Sequence, residues 1–240
     1  MYRVIELERS IIPACDVRDI DSFRAIAEAA KDCPGVGALK IGFFQVYRYG
    51  LPYITKLMKD IGCDKPIIVD MQKAGTDIPD FGVEFAEIMR ESGVPAAILF
   101  PLSGCETQRE WTKALQDVGV IPIIGGHMTH KGYLVSDGGY IADDAPERIY
   151  RLAIEQGVTN FVLPGNQVEV VAKYTKLFTE ELGAGNFDEY SPGFIKQGGA
   201  LSEVAQVAGD RFHGIIGRAI IGAADKAAAM AELTSQLAVR

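Results

Sequence analysis

The sequence predicts an α/β chain folded as a single (β/α)8 TIM barrel spanning residues 1–240, and three observations lead there. Eight short apolar runs alternate with stretches of helical periodicity. No Ser/Gly linker interrupts that rhythm. A length of 240 residues suits a barrel of this kind as one domain. An open doubly wound sheet also alternates, but an unbroken count of eight units favours a closed ring.

The elements follow in order. The run 10–17 is rich in Ile and Val, as expected of a strand covered on both faces. The stretch 21–31 then opens with Asp21-Ser22, suited to an N-cap, and stops before Cys33-Pro34-Gly35, which marks it as a helix. The second and third strands are expected at 38–42 and 66–72, the fourth and fifth at 96–102 and 120–126. The sixth, seventh and eighth are expected at 160–165, 189–194 and 212–220. Between them, Phe43-Phe44 and Tyr47-Arg48-Tyr49 read as core and helix-face residues. The stretch 223–237 reads as an amphipathic final helix that closes the barrel. There is no internal repeat or low-complexity tract.

Composition narrows the function. A content of 48% hydrophobic and 23% charged residues can bury a large core without disulfides or metal. The net charge of −8 opposes non-specific attachment to nucleic acid or to an anionic membrane, so an anionic ligand must be held by local groups. The four cysteines, Cys15, Cys33, Cys63 and Cys105, have no CxxC or zinc-finger spacing and read as free, buried thiols. The first ten residues lack a signal-peptide core, and no apolar run approaches the ~18 residues of a membrane span. A soluble cytoplasmic protein is expected.

In a barrel, chemistry gathers at the C-terminal ends of the strands, so the polar residues that close each apolar run are the candidates. Those residues are Asp16, Lys40, the segment 70–77, Ser103, His127 to His130, Asn166, Ser191-Pro192-Gly193 and Gly217-Arg218. Asp70 directly follows a buried run and needs a partner to stay ionised. Lys73, Asp77 and, on the neighbouring strand, Lys40 offer an alternating array of two ammonium groups and two carboxylates. Such an array keeps a lysine protonated for delivery to a carbanion, while a fixed carboxylate stresses a substrate carboxylate placed against it. That chemistry suits decarboxylation; a plain salt-bridge network at a barrel rim is the alternative.

The segment 191–199 after the seventh strand and Gly214 to Arg218 in the eighth read together as a phosphate site. Glycines let backbone N–H groups approach an anion, and an arginine fork binds phosphate. His127 and His130 are spaced i and i+3, but no third metal ligand is evident, and a Thr129 hydroxyl facing a substrate edge explains the location as well.

These residues resemble the orotidine 5′-phosphate decarboxylase family from Ile11 to about Ile220: Ala14-Cys15-Asp16, Leu39-Lys40-Ile41-Gly42, and a D-x-K-x-x-D-I-P-like signature in Asp70, Lys73 and Asp77-Ile78-Pro79. The resemblance implies that Asp16 binds the ribose and that Lys73 protonates C6. Lys40, Asp70 and Asp77 complete the charged array, with Asp77 reaching in from the second subunit of a homodimer. It places Thr129 at the pyrimidine, Pro192, Gln197 and Gly198 on a phosphate loop, and Gly217 and Arg218 on the phosphate. It implies no cofactor and a place in pyrimidine biosynthesis. One departure stands out. The family signature has the lysine two residues after the first aspartate, whereas Asp70 and Lys73 are three apart, so a bulge or turn beginning at Gln72 is expected, with Gly75 able to make it. Two other readings remain open: a metal-dependent phosphosugar decarboxylase or hexulose-phosphate synthase of the same superfamily, and an inactive nucleotide-binding relative.

Overall fold

The computed structural model of the chain describes residues 3–70, 76–194 and 199–237. The strands are β1 (Arg9–Pro13), β2 (Leu39–Ile41), β3 (Ile67–Asp70), β4 (Ala96–Leu99), β5 (Ile121–Gly125), β6 (Asn160–Val162), β7 (Asp188–Ser191) and β8 (Arg211–Ile216). All pair in parallel, in the order β1-β8-β7-β6-β5-β4-β3-β2. The ring is joined between β1 and β2 by parallel bridges from Ile11 to Val36 and from Ala14 to Lys40.

The connecting helices are α1 (Ile20–Lys31), α2 (Phe43–Tyr49), α3 (Leu51–Asp60), α4 (Gly82–Glu91), α5 (Cys105–Asp117), α6 (Ala145–Glu155), α7 (Val168–Leu182), α8 (Gly199–Val207), α9 (Arg218–Ile221) and α10 (Lys226–Ser235). Period-two alternation divides the strand residues between two cores. Ile11, Leu39, Val69, Leu99, Ile124 and Phe161 pack outward under the helices. Ile12, Ile68, Ile98, Ile123, Val162, Tyr190 and Ile215 fill the barrel itself. Burying each such side chain contributes roughly 1.5–3 kcal/mol.

Several boundaries differ from expectation. The eighth strand ends at Ile216 and not at residue 220: Gly217 caps α9, which buries Ile220 and leaves Arg218 exposed. A short apolar run does not by itself distinguish strand from helix. The seventh strand stops at Ser191, before Pro192, which has no N–H to extend the ladder. The first strand ends at Pro13, and residues 14–17 continue as an arm joined to β2 through the Cys15 amide and the Lys40 carbonyl, 2.9 Å apart. The final helix runs only over Lys226–Ser235 and fully buries Met230 alone, less two-faced than expected. In α2 the buried residue is Gln45, whose Nε2 donates to the Val17 carbonyl, while Phe43 and Phe44 are half-buried. All four cysteines are free, and Cys105 is exposed at the start of α5.

At the N-terminal end of the barrel lies a polar floor that the sequence did not announce. Arg211 Nε donates to Asp188 Oδ1 at 2.7 Å, and its Nη2 reaches the carbonyls of Ile5 and Leu7 at 2.7 and 3.1 Å, strapping the N-terminal segment across the opening. His213 lies between Asp188 Oδ1, 3.1 Å from Nε2, and Ser10 Oγ, 2.9 Å from Nδ1. Burial lowers the His213 pKa more than Asp188 raises it, so the neutral ring donates from Nε2 and accepts from Ser10. A serine, histidine and carboxylate in this order invite a catalytic reading, but Ser10 and His213 are 0% exposed. No substrate reaches them, and the cluster is architectural.

Candidate active site

The opposite end of the barrel carries the charge. Lys40 points inward from β2, between Asp70 at the end of β3 and Asp16 on the arm after β1. Its Nζ lies 2.7 Å from Asp70 Oδ2 and 3.2 Å from Asp16 Oδ2. Lys40 and Asp70 are 5% and 4% exposed, whereas the Asp16 side chain is 40% exposed at the mouth. Burial alone would lower the Lys40 pKa, but the charges of Asp70 and Asp16 and their hydrogen bonds outweigh it and hold the ammonium above its ordinary value. The array is thus a fixed cation between two carboxylates.

Gly42 makes room for this arrangement. A Cβ there would fall 2.3 Å from Asp16 Oδ1, so only glycine lets the carboxylate settle against the end of β2.

Asp77 stands apart from the array. It lies on the turn before the short 3-10 helix Pro79–Phe81, and its carboxylate is exposed and accepts the Ile78 N–H at 2.7 Å. The backbone beneath it is firmly held. Ser103 Oγ donates to the Thr76 carbonyl at 2.6 Å, Thr107 Oγ1 to that of Asp77 at 3.0 Å, and Trp111 Nε1 to that of Ile78 at 3.0 Å. Three consecutive carbonyls thus anchor the turn to α5 and the loop before it.

Across the mouth, Thr129 follows β5 and meets the segment after β7. A Cβ on Gly193 would lie 2.9 Å from Thr129 Cγ2 and 3.2 Å from Asn166 Oδ1, and Gly193 has φ +103°, a conformation that favours glycine. The Pro192 carbonyl accepts the Gly165 N–H at 2.8 Å, which ties the end of β7 to that of β6. Gly217 and Arg218 follow β8, with the Arg218 side chain exposed. A cavity of about 390 Å³ opens beside Thr129, lined also by His127, His130 and Tyr133. Another, of about 500 Å³, lies on the flank between α5 and α6 and contains none of the expected site residues.

His127 and His130 both pack on Tyr133, with ring centroids 6.0 Å away in each case. Among the described residues no group of three or more His, Cys, Asp or Glu side chains is placed to hold a metal ion.

The structure therefore brings Asp16, Lys40 and Asp70 into contact, sets Thr129 beside Gly193, and leaves Pro192, Gly217 and Arg218 at the adjoining strand ends. Lys73, Gln197 and Gly198, and the bulge expected at Gln72, lie outside the described residues. Sequence reasoning named Gly42 within the Lys40 motif and Asn166 among the strand-end residues without giving either a role, and it missed Gln167; the amides of Asn166 and Gln167 reach across to the loop after β5.

The family model described as "Orotidine 5′-phosphate decarboxylase / HUMPS family" matches residues 9–233. A curated orotidine 5′-phosphate decarboxylase of Methanosarcina mazei is 26% identical over 233 residues, 97% of each chain. Among solved structures, orotidine 5′-monophosphate decarboxylase from Methanocaldococcus jannaschii, complexed with the inhibitor BMP, is similar with a TM-score of 0.80 at 22% identity, over 96% of this chain and 99% of that one. The decarboxylase from Pyrococcus horikoshii OT3 follows at 0.77 and 22%, over 96% and 100%. At such identity these two likenesses are of fold.

Proposed function

Since the chain belongs to the orotidine 5′-phosphate decarboxylase / HUMPS family, we propose that it is a carboxy-lyase converting orotidine 5′-phosphate to uridine 5′-phosphate and carbon dioxide, a step of pyrimidine biosynthesis. The observation that carries this reading is Lys40 held between Asp70 and Asp16 at the strand ends. Asp70, paired with that ammonium, is the carboxylate that would stress a substrate carboxylate set against it. When the bond from C6 to the carboxylate breaks, its electron pair stays on C6 as a vinyl carbanion, and Lys73 supplies the replacement proton. Asp16 binds the ribose and Thr129 the pyrimidine edge. Arg218, Gly217, Pro192, Gln197 and Gly198 hold the phosphate, whose binding energy supports the chemical step.

No cofactor enters this scheme. Metal-dependent relatives stabilise an enediolate through a cation held by carboxylates. Here an ammonium occupies the space between Asp16 and Asp70, which favours the nucleotide decarboxylase. The exposed Asp77 on its anchored turn suits a homodimer in which it enters the second subunit's site. No helix among the described residues is long and apolar enough to cross a membrane, and a cytoplasmic location is part of the proposal.

Carbon dioxide release from orotidine 5′-phosphate tests the function. Release should persist in EDTA and disappear in Lys73→Ala. Tight binding of uridine 5′-phosphate without release by the unaltered chain, or release that requires magnesium, would overturn the reading.

A further inference from the structure

The turn after β6 presents two neighbouring amide side chains, Asn166 and Gln167, to two neighbouring carbonyls after β5. Asn166 Nδ2 donates to the Thr129 carbonyl at 2.9 Å, and Gln167 Nε2 donates to that of Met128 at 3.1 Å. Backbone carbonyls accept only, which fixes each amide's orientation: the NH₂ groups face the loop and the oxygens face away. Asn166 Oδ1 is thereby turned to Gly193, 3.2 Å from where a Cβ on that residue would stand, and the same Cβ would lie 2.9 Å from Thr129 Cγ2. Three strand ends thus meet at one point, with Asn166 between the other two.

Around the Met128–Thr129 segment, Met128 packs against the barrel interior and the His127 N–H donates to the Tyr150 hydroxyl at 3.3 Å, while the Thr129 carbonyl is held by Asn166. The segment belongs to the long connection 126–144 from β5 to α6, in which the Tyr133 hydroxyl also donates to the Gly126 carbonyl at 2.8 Å and a parallel bridge joins Leu134 and Ile141. Two amides on consecutive carbonyls restrain both the height and the rotation of the peptide that carries the Thr129 side chain.

We propose that Asn166, assisted by Gln167, is a positioning residue for the decarboxylation: it sets Thr129 against Gly193 so that the base contact and the start of the phosphate segment hold one fixed spacing. This rests on the proposed function only for its kinetic consequence; the clamp itself is a property of the fold. Asn166 is exposed, and a thermal melt of its alanine variant verifies that folding is intact.

Two measurements test the proposal. In Asn166→Ala, amide hydrogen exchange of a peptide covering residues 127–133 should accelerate at least fivefold, while peptides from β1 and β8 keep the rates of the unaltered chain. Unchanged exchange at 127–133 overturns the clamp whatever the enzyme's substrate. The second measurement is a double-mutant cycle on kcat/KM for orotidine 5′-phosphate. Asn166→Ala and Thr129→Ala should each lower it about tenfold, and the double variant should be about tenfold slower too, because one acts through the other. Independent, multiplied losses of about a hundredfold, or full activity in Asn166→Ala, overturn the positioning role. Accelerated exchange with no turnover by the unaltered chain keeps the clamp and overturns both the decarboxylase reading and this kinetic role. Asn166→Asp, which places an acceptor against the Thr129 carbonyl, should match the alanine variant or be slower; activity equal to the unaltered chain overturns the proposal.

Discussion

Gly42 and Asp16 fit one another so closely that a methyl group on the first would stand 2.3 Å from Oδ1 of the second. The carboxylate therefore owes its place beside Lys40 to a missing side chain just beyond β2. Gly42→Ala should displace Asp16 outward and lengthen its 3.2 Å contact with Lys40. The loss of one charged contact corresponds to about 1.5 kcal/mol, so kcat/KM should fall roughly tenfold. Steady-state kinetics against orotidine 5′-phosphate, with a thermal melt to verify folding, reads this.

Lys40 is worth more, because it is buried with its partner Asp70. Lys40→Met takes away the cation that faces a 4% exposed carboxylate, a change that costs about 3 kcal/mol of stability. Carbon dioxide release should slow by about 10² to 10³, as when one preorganised charge is removed from an active site. Denaturant titration and turnover measured on the same preparation separate the two effects.

Arg218 provides a test of the phosphate site. Its guanidinium is exposed at the start of α9, after Gly217. Arg218→Ala should reduce kcat/KM for the phosphorylated substrate by roughly 10- to 100-fold, the worth of a charge-assisted hydrogen bond. Orotidine without its phosphate should be turned over equally by both proteins. An equal loss on both substrates would place Arg218 elsewhere in the mechanism.

Asp77 allows a complementation test. Asp77→Ala and Lys73→Ala should each be inactive alone, yet activity should return when the two are mixed and allowed to exchange subunits. A mixed dimer contains one site with both defects and one with neither. Failure to recover activity after verified exchange would return Asp77 to its own subunit.

Glu189 predicts a pH dependence of stability. It is fully buried and accepts Thr175 Oγ1 at 2.6 Å and the Gly209 N–H at 2.7 Å. Burial outweighs those bonds and pushes its carboxyl up to about 7, from 4.5. The folded chain then holds a proton that the unfolded chain releases, so stability is fully present below pH 4.5 and is lost as pH rises toward about 7. The slope is about 1.4 kcal/mol per pH unit. His213, held neutral by burial, has the opposite sign: its contribution is lost as pH falls below the ordinary histidine value of 6.5. Urea titrations of the unaltered chain and Glu189→Gln at several pH values isolate the first effect, and their difference should grow in favour of the variant as pH rises.

Much of the mouth was legible in the sequence. Asp16, Lys40 and Asp70 were found because each ends or sits within an apolar run, and Thr129 because it lies on the polar segment just after the fifth run and matches the family pattern. The floor was not, because Ser10, Asp188, Arg211 and His213 come from three strands, and only register brings them together. The buried Gln45 was hidden for a related reason: a polar residue between Phe44 and Val46 gives no sign that a carbonyl on the preceding arm awaits it. The Asn166-Gln167 clamp needed the path of another loop, and the end of β8 failed because Ala219-Ile220-Ile221 suits a strand as well as a helix.

Between the floor and the mouth stands the inner layer of Ile12, Ile68, Ile98, Ile123, Val162 and Ile215. At about 3.3 Å per residue, Ser10 and Asp16 are separated by roughly 20 Å of extended chain. Two sets of charges that far apart, with aliphatic side chains between them, share no partner, and changes in one should add to changes in the other. The barrel can therefore gain or lose stability at its base without retuning its chemistry. A lineage carrying this fold has two ledgers in which substitutions accumulate separately.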